Sequence, residues 1–291
     1  LPAPVLVQAS REDGYRMRAR LHLRGGKYGF FREGTHDVCD SRATRQLLPA
    51  TSDVLDRVAS VAHTLGLASG EIELSENAGA DERAIAVDAP QAQSAAWKDA
   101  FSQVDGLTAF GPDGSVHETL TIAGRTVALR RSVLAFFQGN RFLLAPLVEH
   151  VVAQVPAGAS LVDLYAGAGL FSMAAAEVKH ARVTAVEGDR VSGDDLVANA
   201  AAREDVAVRC QSVEAFVGGN VVVPDVLVVD PPRTGMSKEA LQGVARMKAS
   251  TIVYVSCDVA TLARDARVIV DAGYRIDRVD GFDLFPNTPH V

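Results

Sequence analysis

The sequence predicts an α/β protein in which a smaller α+β region, residues 1–130, precedes a doubly wound parallel sheet in residues 131–291. Two observations predict this. From Pro146 onward, short apolar strands alternate with helical stretches of about ten to fifteen residues, which is typical of parallel strands joined by right-handed crossovers. Before Pro146, short strands of alternating polarity and glycine turns indicate a mostly antiparallel region. A length of 291 residues accommodates two domains.

The first region is predicted to contain one helix and several short strands. The alternating polarity of residues 15–23 (YRMRARLHL) predicts a half-exposed strand, and the Gly-Gly turn after it predicts a second one. Residues 51–67 have apolar side chains at helical spacing, with Ser52 or Asp53 as the N-cap. Further strands are expected in EIELSE, in RAIAVD and in the hairpin TIAGRTVALR, whose turn lies at Gly124.

The second region is predicted to hold a leading helix, APLVEHVVAQV, and six strands. A glycine turn and a helix follow the first strand. The predicted strands are LVDLY (161–165), VTAVE (183–187), VAVRC (206–210), DVLVVD (225–230), TIVYVS (251–256) and YRIDRVDGFDLF (274–285).

The composition is that of a globular chain, with 48% hydrophobic and 22% charged residues. No run of about 18 apolar residues would span a membrane, and no secretory signal opens the sequence. The three cysteines, Cys39, Cys210 and Cys257, are far apart and odd in number, which argues against a disulfide framework and against a metal centre. We therefore expect a cytoplasmic protein that binds no metal.

The charge is unevenly distributed along the chain. The net charge of −7 does not suggest a nucleic-acid binder, but residues 1–50 hold nine Lys and Arg against five Asp and Glu. An arginine-rich stretch over residues 16–32 could therefore meet a phosphate backbone. The alternative is a solvated strand face with alternating arginines.

A glycine turn in DLYAGAGLFS (163–172) is the first candidate binding motif. Gly167 and Gly169 lie between a strand and a helix, where glycine lets the backbone approach a ligand closely. Glu187 ends the next strand, where it can accept hydrogen bonds from ribose hydroxyls. Ser172 occupies the place of the third glycine of the dinucleotide fingerprint, which weakens NAD and leaves a shorter nucleoside such as S-adenosylmethionine. A tight turn without a ligand is the alternative.

Two further motifs end the next strands of the predicted sheet. VVDPPRTGMS places Asp230 at the carboxyl end of a strand, where doubly wound sheets bind ligands. Cys257 ends the following strand, so it should lie near Asp230. A helix predicted to begin near Thr261 would bring its positive end and free amides close to the thiol and favour the thiolate. A structural proline turn and a structural cysteine are the alternatives.

The segment FFQGNRF (136–142) precedes the leading helix. Phe136 can stack on a base, and the amides of Gln138 and Asn140 can read a base edge or a cofactor carboxylate. The alternative is a loop amide that satisfies neighbouring backbone groups.

Six motifs occur in one order: FxQxN, DLYAGAGLFS, AVEGD, DPPRTG, VYVSCDVATLARD and DLFPNTPHV. Together they resemble the RNA uridine-5-methyltransferase family, which makes 5-methyluridine in tRNA or 23S rRNA with S-adenosylmethionine. The resemblance is strong over about residues 130–291. It is weaker over 15–130, where GYRMRARL and GFFREGTHDVCD look like that family's central domain. It implies a class I methyltransferase fold behind a central-type RNA-binding domain.

The resemblance also implies roles for individual residues. Cys257 is the nucleophile that adds to uracil C6, Asp230 contacts the uracil, and the target base leaves its stack. The implied partner is RNA, either rRNA or tRNA, with no membrane and no obligate protein partner. The expected cofactor contacts are Gln138, Tyr165, Gly167, Gly169, Glu187, Ser212 and Asp230. The expected contacts to substrate RNA are Phe136, Asn140 and Arg233.

Two departures from the family pattern matter. Relatives carry a glutamate directly after His-Val or His-Leu as the base that removes the C5 proton, whereas this sequence stops at Val291, which we interpret as truncation. Many relatives hold an iron–sulfur cluster. Here only Cys39 lies near the expected ligands and Thr44 takes the place of the last one, so no cluster is supported within this chain.

Two alternatives to the enzyme stay open. One is a catalytically incomplete RNA-binding module of the same fold. The other is a small-molecule methyltransferase, against which the SC-x3-TLARD motif argues, because such enzymes rarely need a covalent nucleophile.

Overall fold

A computed structural model describes residues 4–32, 34–219 and 223–288 of the chain. The chain forms two compact units. We call residues 11–119 and 130–144 the N-terminal unit. We call residues 1–10, 120–129 and 145–291 the C-terminal unit.

Fifteen strands and eight helices are formed by the described residues. The strands are β1 (Leu6–Gln8), β2 (Arg18–Arg24), β3 (Lys27–Phe31), β4 (Val38–Asp40), β5 (Ser69–Glu76), β6 (Arg83–Asp88), β7 (Ala109–Phe110), β8 (Ser115–Ile122), β9 (Arg125–Ser132), β10 (Ser160–Leu164), β11 (Arg182–Glu187), β12 (Val206–Cys210), β13 (Val226–Val229), β14 (Thr251–Tyr254) and β15 (Asp280–Phe282). The helices are α1 (Pro49–Thr64), α2 (Ala95–Ser102), α3 (Leu144–Ala153), α4 (Leu170–Lys179), α5 (Arg190–Ala200), α6 (Val213–Gly218), α7 (Lys238–Met247) and α8 (Val259–Asp271).

The N-terminal unit is built on a six-stranded sheet in the order β4-β3-β2-β5-β6-β7. All neighbouring strands are antiparallel except β6 and β7, so the predicted antiparallel α+β character is confirmed. The apolar side of α1 packs on this sheet, with Leu55 and Val58 in one buried cluster with Leu21 and Ile72. The predicted hairpin is β8 and β9, and Gly124 turns it with φ of 76°.

The unit boundaries differ from a single division at residue 130. Residues 130–144 stay with the N-terminal unit because two buried arginines tie them to it: Arg131 pairs with Glu118 and Arg141 pairs with Glu76. Residues 1–10 belong to the C-terminal unit because β1 pairs in parallel with β15. The assignment of an RNA-binding role to one unit and methyl transfer to the other stays a prediction.

The C-terminal unit contains a five-stranded sheet in the order β12-β11-β10-β13-β14, parallel throughout. The interior strands β10 and β13 are buried on both faces, which explains their mostly apolar sequences. The chain runs outward from β10 to β12 and then returns to the other side of β10 at β13. The switch point therefore lies between β10 and β13, where a doubly wound sheet binds its ligand at the carboxyl ends of the strands. The predicted α/β fold is confirmed.

Two predictions about the last third of the chain were wrong in detail. The sixth strand, expected over 274–285, is reduced to β15, which pairs with β1 instead of joining the five-stranded sheet. Residues 275–278 are exposed and form ion pairs with their own neighbours, as between Arg275 and Asp277, so they have no apolar face to bury. Helix α8 begins at Val259 rather than near Thr261, because Asp258 caps it.

No helix of the described residues is long and apolar enough to cross a membrane.

Candidate active site

The glycine turn after β10 is shaped by residues with positive φ. Gly167 and Gly169 have φ of 57° and 93°, and Tyr165 also adopts a left-handed φ of 62°. A Cβ on Gly169 would lie 2.7 Å from Leu196 Cδ1, whereas one on Gly167 would meet nothing within 4 Å. Gly169 is therefore needed for packing the turn against α5, and Gly167 leaves open space above the turn.

Glu187, at the end of β11, holds this turn. Its Oε2 accepts a hydrogen bond from the Gly167 amide at 2.7 Å, and its Oε1 accepts one from the Asp189 amide at 2.6 Å. A carboxylate has about four acceptor positions. Two remain for hydroxyl donors, and the side chain is only half-buried, so Glu187 can still bind a ribose.

Asp163 lies beneath the turn, fully buried in β10. Its Oδ2 accepts a hydrogen bond from Ser172 Oγ at 2.6 Å. Its Oδ1 is buried without a hydrogen-bond partner among the described residues. Burial raises the pKa of Asp163 to about 7, although the hydrogen bonds from Ser172 oppose this. Ser172, which breaks the dinucleotide fingerprint, thus bonds the buried carboxyl that precedes the turn.

Tyr165 and Ser212 occupy the rim of the same edge. Tyr165 is half-buried against the apolar cluster beside β13, and burial raises the pKa of its hydroxyl, which therefore stays protonated. Ser212 is exposed and caps α6, with its Oγ accepting a hydrogen bond from the Ala215 amide at 3.2 Å. The Ser212 backbone approaches the residue after Glu187, because a Cβ on Gly188 would lie 3.3 Å from Ser212 Cα. Both residues follow strands of the parallel sheet at its carboxyl edge, Tyr165 after β10 and Ser212 after β12.

Asp230 and Cys257 leave neighbouring parallel strands at the same edge. Val229 of β13 is in register with Tyr254 of β14, so Asp230 lies one residue and Cys257 three residues beyond that aligned pair. The Asp230 amide donates to the carbonyl of Leu164, which directly precedes the glycine turn. Both side chains are half-buried.

The amide environment of Cys257 differs from the prediction of free helix amides. The Asp258 carboxylate accepts a hydrogen bond from the Thr261 amide at 2.7 Å and caps α8 directly after the cysteine. This backbone hydrogen bond lowers the pKa of Asp258, so the residue that follows Cys257 in the sequence is an anion. The Thr261 amide in the first turn of α8 is therefore bonded to Asp258 and is not free for the Cys257 thiol.

Sequence reasoning missed a group of residues that hold the loop after Asp230. Arg233 is exposed, as a residue that meets RNA should be, but its carbonyl accepts a hydrogen bond from Thr261 Oγ1 at 3.2 Å. Arg264 and the fully buried Asp265 bond the next residues of the loop. The sequence signal was present in the TLARD motif, which contains Thr261, Arg264 and Asp265.

The remaining candidate residues lie in the N-terminal unit. Phe136 is 62% exposed, and Arg18 Cζ lies 5.9 Å from its ring centroid. Gln138 is half-buried. Asn140 is fully buried, and its Oδ1 accepts hydrogen bonds from the amides of Phe142 and Leu143 at 2.9 and 3.1 Å. This geometry favours the loop-amide alternative for Asn140, since a base would have to compete with two backbone donors.

Several arginines of the stretch 16–32 bond within the N-terminal unit. Arg16 donates to Gln46, and Arg18 donates to the carbonyl of Ala135. Arg20 forms a 2.5 Å hydrogen bond to Glu73, which also raises the pKa of the guanidinium. These contacts favour the strand-face alternative for this part of the stretch, because all three arginines already have hydrogen-bond partners within the unit. Burial lowers the pKa of Arg18, the residue beneath Phe136.

Metal binding has no support from the described ranges, in which no three His, Cys, Asp or Glu side chains are grouped to hold an ion. Residues 289–291, which include His290 and the end of the last family motif, lie outside the described residues.

Known proteins are similar to this chain in sequence, and a solved structure is similar to it in fold. The sequence model of the tRNA (uracil-5-)-methyltransferase family matches residues 220–291. The 23S rRNA (uracil(1939)-C(5))-methyltransferase RlmD of Pseudomonas putida is 31% identical, over 96% of this chain and 67% of that protein. Its counterpart from Halomonas elongata is 30% identical, over 100% of this chain and 66% of that protein.

A solved structure supports the fold. The crystal structure of Pyrococcus abyssi tRNA (uracil-54, C5)-methyltransferase with S-adenosyl-L-homocysteine has a TM-score of 0.78 at 22% identity, and the match covers 98% of this chain and 76% of that one.

An uncharacterized RNA methyltransferase of Thermotoga maritima is 39% identical, but the match covers 54% of this chain and 36% of that protein. The chain thus spans less than two thirds of the length of several relatives.

Proposed function

Because this chain belongs to the RNA (uracil-5-)-methyltransferase family, we propose that it methylates C5 of a uridine in RNA, with S-adenosylmethionine as the methyl donor. The observation that carries the proposal is the meeting of three motifs at one edge of the sheet. The glycine turn with Glu187, the carboxyl of Asp230 and the thiol of Cys257 follow strands that lie side by side. This edge contains the switch point, which is where such a sheet binds its ligand.

The residues around the glycine turn suit S-adenosylmethionine. We propose that Glu187 bonds the ribose through its remaining acceptor positions, and that Gly167 leaves room for the nucleoside. Tyr165, Gly169, Ser212 and Asp230 belong to the same proposed contact set. For Gln138, the proposed cofactor contact rests on the family resemblance of the FxQxN motif alone. When bound, S-adenosylmethionine supplies the electrophilic methyl group that uracil C5 receives.

Cys257 is the proposed nucleophile. Its thiolate bonds to uracil C6, and the electron pair displaced from the C5–C6 double bond makes C5 nucleophilic. After C5 is methylated and its proton is removed, the C6–sulfur bond breaks and the thiolate leaves. Asp230 orients the uracil in this proposal. The family resemblance assigns the proton to a glutamate that would directly follow Val291.

The proposed RNA contacts are Phe136 and Arg233. Phe136 is an exposed ring over a guanidinium, a surface on which a base can stack, and Arg233 is an exposed cation. Asn140 would act by shaping the loop that carries Phe136 and Gln138, since its amide oxygen bonds that loop's own backbone. We place this reaction in the cytoplasm, where RNA substrates and free cysteines coexist.

We propose 23S rRNA as the substrate. Two relatives that align with at least 96% of this chain are 23S rRNA methyltransferases by name. A tRNA substrate is the second candidate, because the matching family model carries a tRNA name.

Methylation of RNA in vitro tests the proposal. The full-length protein would be incubated with isotope-labelled S-adenosylmethionine and unmodified transcripts of 23S rRNA and of tRNA, and nucleosides would be identified by mass spectrometry. We expect labelled 5-methyluridine in 23S rRNA. Label in tRNA alone would transfer the proposal to tRNA, and no label in either RNA would contradict it.

Glu187→Gln is expected to weaken binding of S-adenosylhomocysteine about 10- to 100-fold, which corresponds to the loss of a hydrogen bond to a charged group. The new amide would also set an N–H donor against the amide of Gly167 or Asp189. Isothermal titration calorimetry measures the affinity. Glu204→Gln is the matched control, because Glu204 is exposed, and an unchanged affinity for Glu187→Gln would refute the ribose contact.

A further inference from the structure

Asp265 is a buried carboxylate that the proposed reaction does not use. It lies in α8, fully shielded from solvent. Its Oδ2 accepts hydrogen bonds from Tyr254 Oη at 2.7 Å and from the Met236 amide at 2.8 Å, and its Oδ1 accepts one from Arg264 Nε at 2.8 Å. A buried carboxylate requires such donors, and here they come from three different segments of the chain.

The first of these segments is the loop that starts at Asp230. Arg264 extends the contact with Asp265, since its Nη2 donates to the carbonyls of Thr234 and Met236 at 3.0 and 3.2 Å. Together with the bond from Thr261 to Arg233, helix α8 binds three residues of the Asp-Pro-Pro loop. The loop is thus held along its length by one face of α8.

Gly235 shows how closely this loop approaches the helix. Its φ is 72°, and a Cβ there would lie 2.5 Å from Arg264 Nη2 and 2.8 Å from Asp265 Oδ2. Any side chain would therefore push the loop away from the carboxylate.

The second segment is β14, which leads to Cys257. Burial and the hydrogen bond to Asp265 raise the pKa of Tyr254, so its hydroxyl remains a donor. In the sequence, Cys257 lies between Tyr254 and Asp258. Tyr254 donates a hydrogen bond to Asp265, and Asp258 caps the helix that contains Asp265. The carboxylate thereby joins the segments that carry Asp230 and Cys257.

We infer that Asp265 is a positioning residue. Through Met236, Arg264 and Tyr254, it fixes the distance between the Asp-Pro-Pro loop, which carries Asp230, and the segment after β14, which carries Cys257. The inference rests on the proposed function, because it concerns the two groups that we assign to the uracil. Both groups must reach one base, and displacement by about 1 Å can cost on the order of 10²-fold in rate.

Asp265→Asn tests this role. The single-turnover rate of methyl transfer to RNA is expected to fall by about 10- to 100-fold, with the affinities for S-adenosylhomocysteine and RNA unchanged within about twofold. Amide hydrogen exchange at Met236 should accelerate, because the variant offers one uncharged acceptor oxygen to the three donors that the Asp265 carboxylate now accepts. Asp271→Asn is the control on the same helix, since Asp271 pairs with exposed Arg267 and is itself exposed. It should leave the rate and the exchange at Met236 unchanged.

Tyr254→Phe provides a second variant in case Asp265→Asn fails to fold. It removes one of the three donors, and we expect about a 2- to 10-fold lower rate. Faster exchange at Met236 with a wild-type rate of methyl transfer would overturn the inference and leave Asp265 a structural residue. Unchanged exchange at Met236 would overturn it as well. Failure of the proposed function would be seen separately, as absence of methyl transfer by the wild-type protein.

Discussion

Cys257→Ala is expected to abolish methyl transfer, with a loss on the order of 10⁴-fold or more. Without the thiolate, C5 of uracil remains a poor nucleophile toward a methyl sulfonium. The covalent complex with RNA that contains 5-fluorouridine should also vanish. In the wild type, fluorine replaces the C5 hydrogen that a base must remove, so elimination is blocked and the Cys257–C6 adduct is trapped. Denaturing gel electrophoresis detects this adduct, and mass spectrometry of the linked peptide locates it.

The controls for this prediction are already in the sequence. Cys210 is exposed at the end of β12, so Cys210→Ala should leave both the rate and the adduct intact. Binding of S-adenosylhomocysteine by Cys257→Ala should stay within about twofold of the wild type, because the proposed cofactor contacts lie elsewhere on the sheet edge. An adduct that persists in Cys257→Ala would eliminate the proposed nucleophile.

The same assay separates the enzyme from its main alternative. A chain extended past Val291 that binds S-adenosylmethionine and RNA but forms neither adduct nor product would favour the RNA-binding module. Methyl transfer to a small molecule without an adduct would favour a small-molecule methyltransferase.

The free energy of unfolding is expected to decrease as the pH rises from about 4 to about 7, because of the ionisation of Asp163. The pKa of this carboxyl is about 7 in the folded chain, against an ordinary value of 3.8, because burial disfavours the anion. Below its ordinary pKa the group is protonated in both states and costs nothing. As the pH rises through 7, the folded state must lose a proton that it holds more tightly than the unfolded state, so stabilisation is lost.

The expected size of this effect is up to about 4 kcal/mol, since one pKa unit corresponds to about 1.4 kcal/mol. Urea unfolding of the wild type and of Asp163→Asn would be compared from about pH 4 to pH 8. We expect the difference in free energy of unfolding to shift toward the variant as the pH rises. A difference that stays constant over this range would refute the raised pKa.

Two further variants check the sign. Ser172→Ala removes the hydroxyl that donates to the Asp163 carboxylate at 2.6 Å, so it should extend the pH-dependent loss to higher pH. Asp225→Asn provides the opposite case in the same strand pair. Hydrogen bonds from Ser160 lower the pKa of Asp225, so its contribution is present at neutral pH and is lost as the pH falls.

The local sequence determined most secondary structure and the identity of the candidate groups. Apolar runs such as VLVV (226–229) became parallel strands because a sheet buried on both faces needs mostly apolar residues. The positions of Gly167, Glu187, Asp230 and Cys257 at strand ends could be predicted for the same reason, since each directly follows or ends such a run. The family resemblance also came from these segments.

Only the tertiary structure decided what depends on partners distant in sequence. Residues 130–144 join the N-terminal unit through buried ion pairs to Glu118 and Glu76, which no local pattern announces. The strand predicted over 274–285 is reduced to β15, because a strand exists only where another backbone accepts its hydrogen bonds. The local sequence does not distinguish Asp265 from any other charged residue of a helix. Only the fold brings Met236 and Tyr254 to its carboxylate. Its proposed role follows from burial, which is a property of the folded chain and not of any segment.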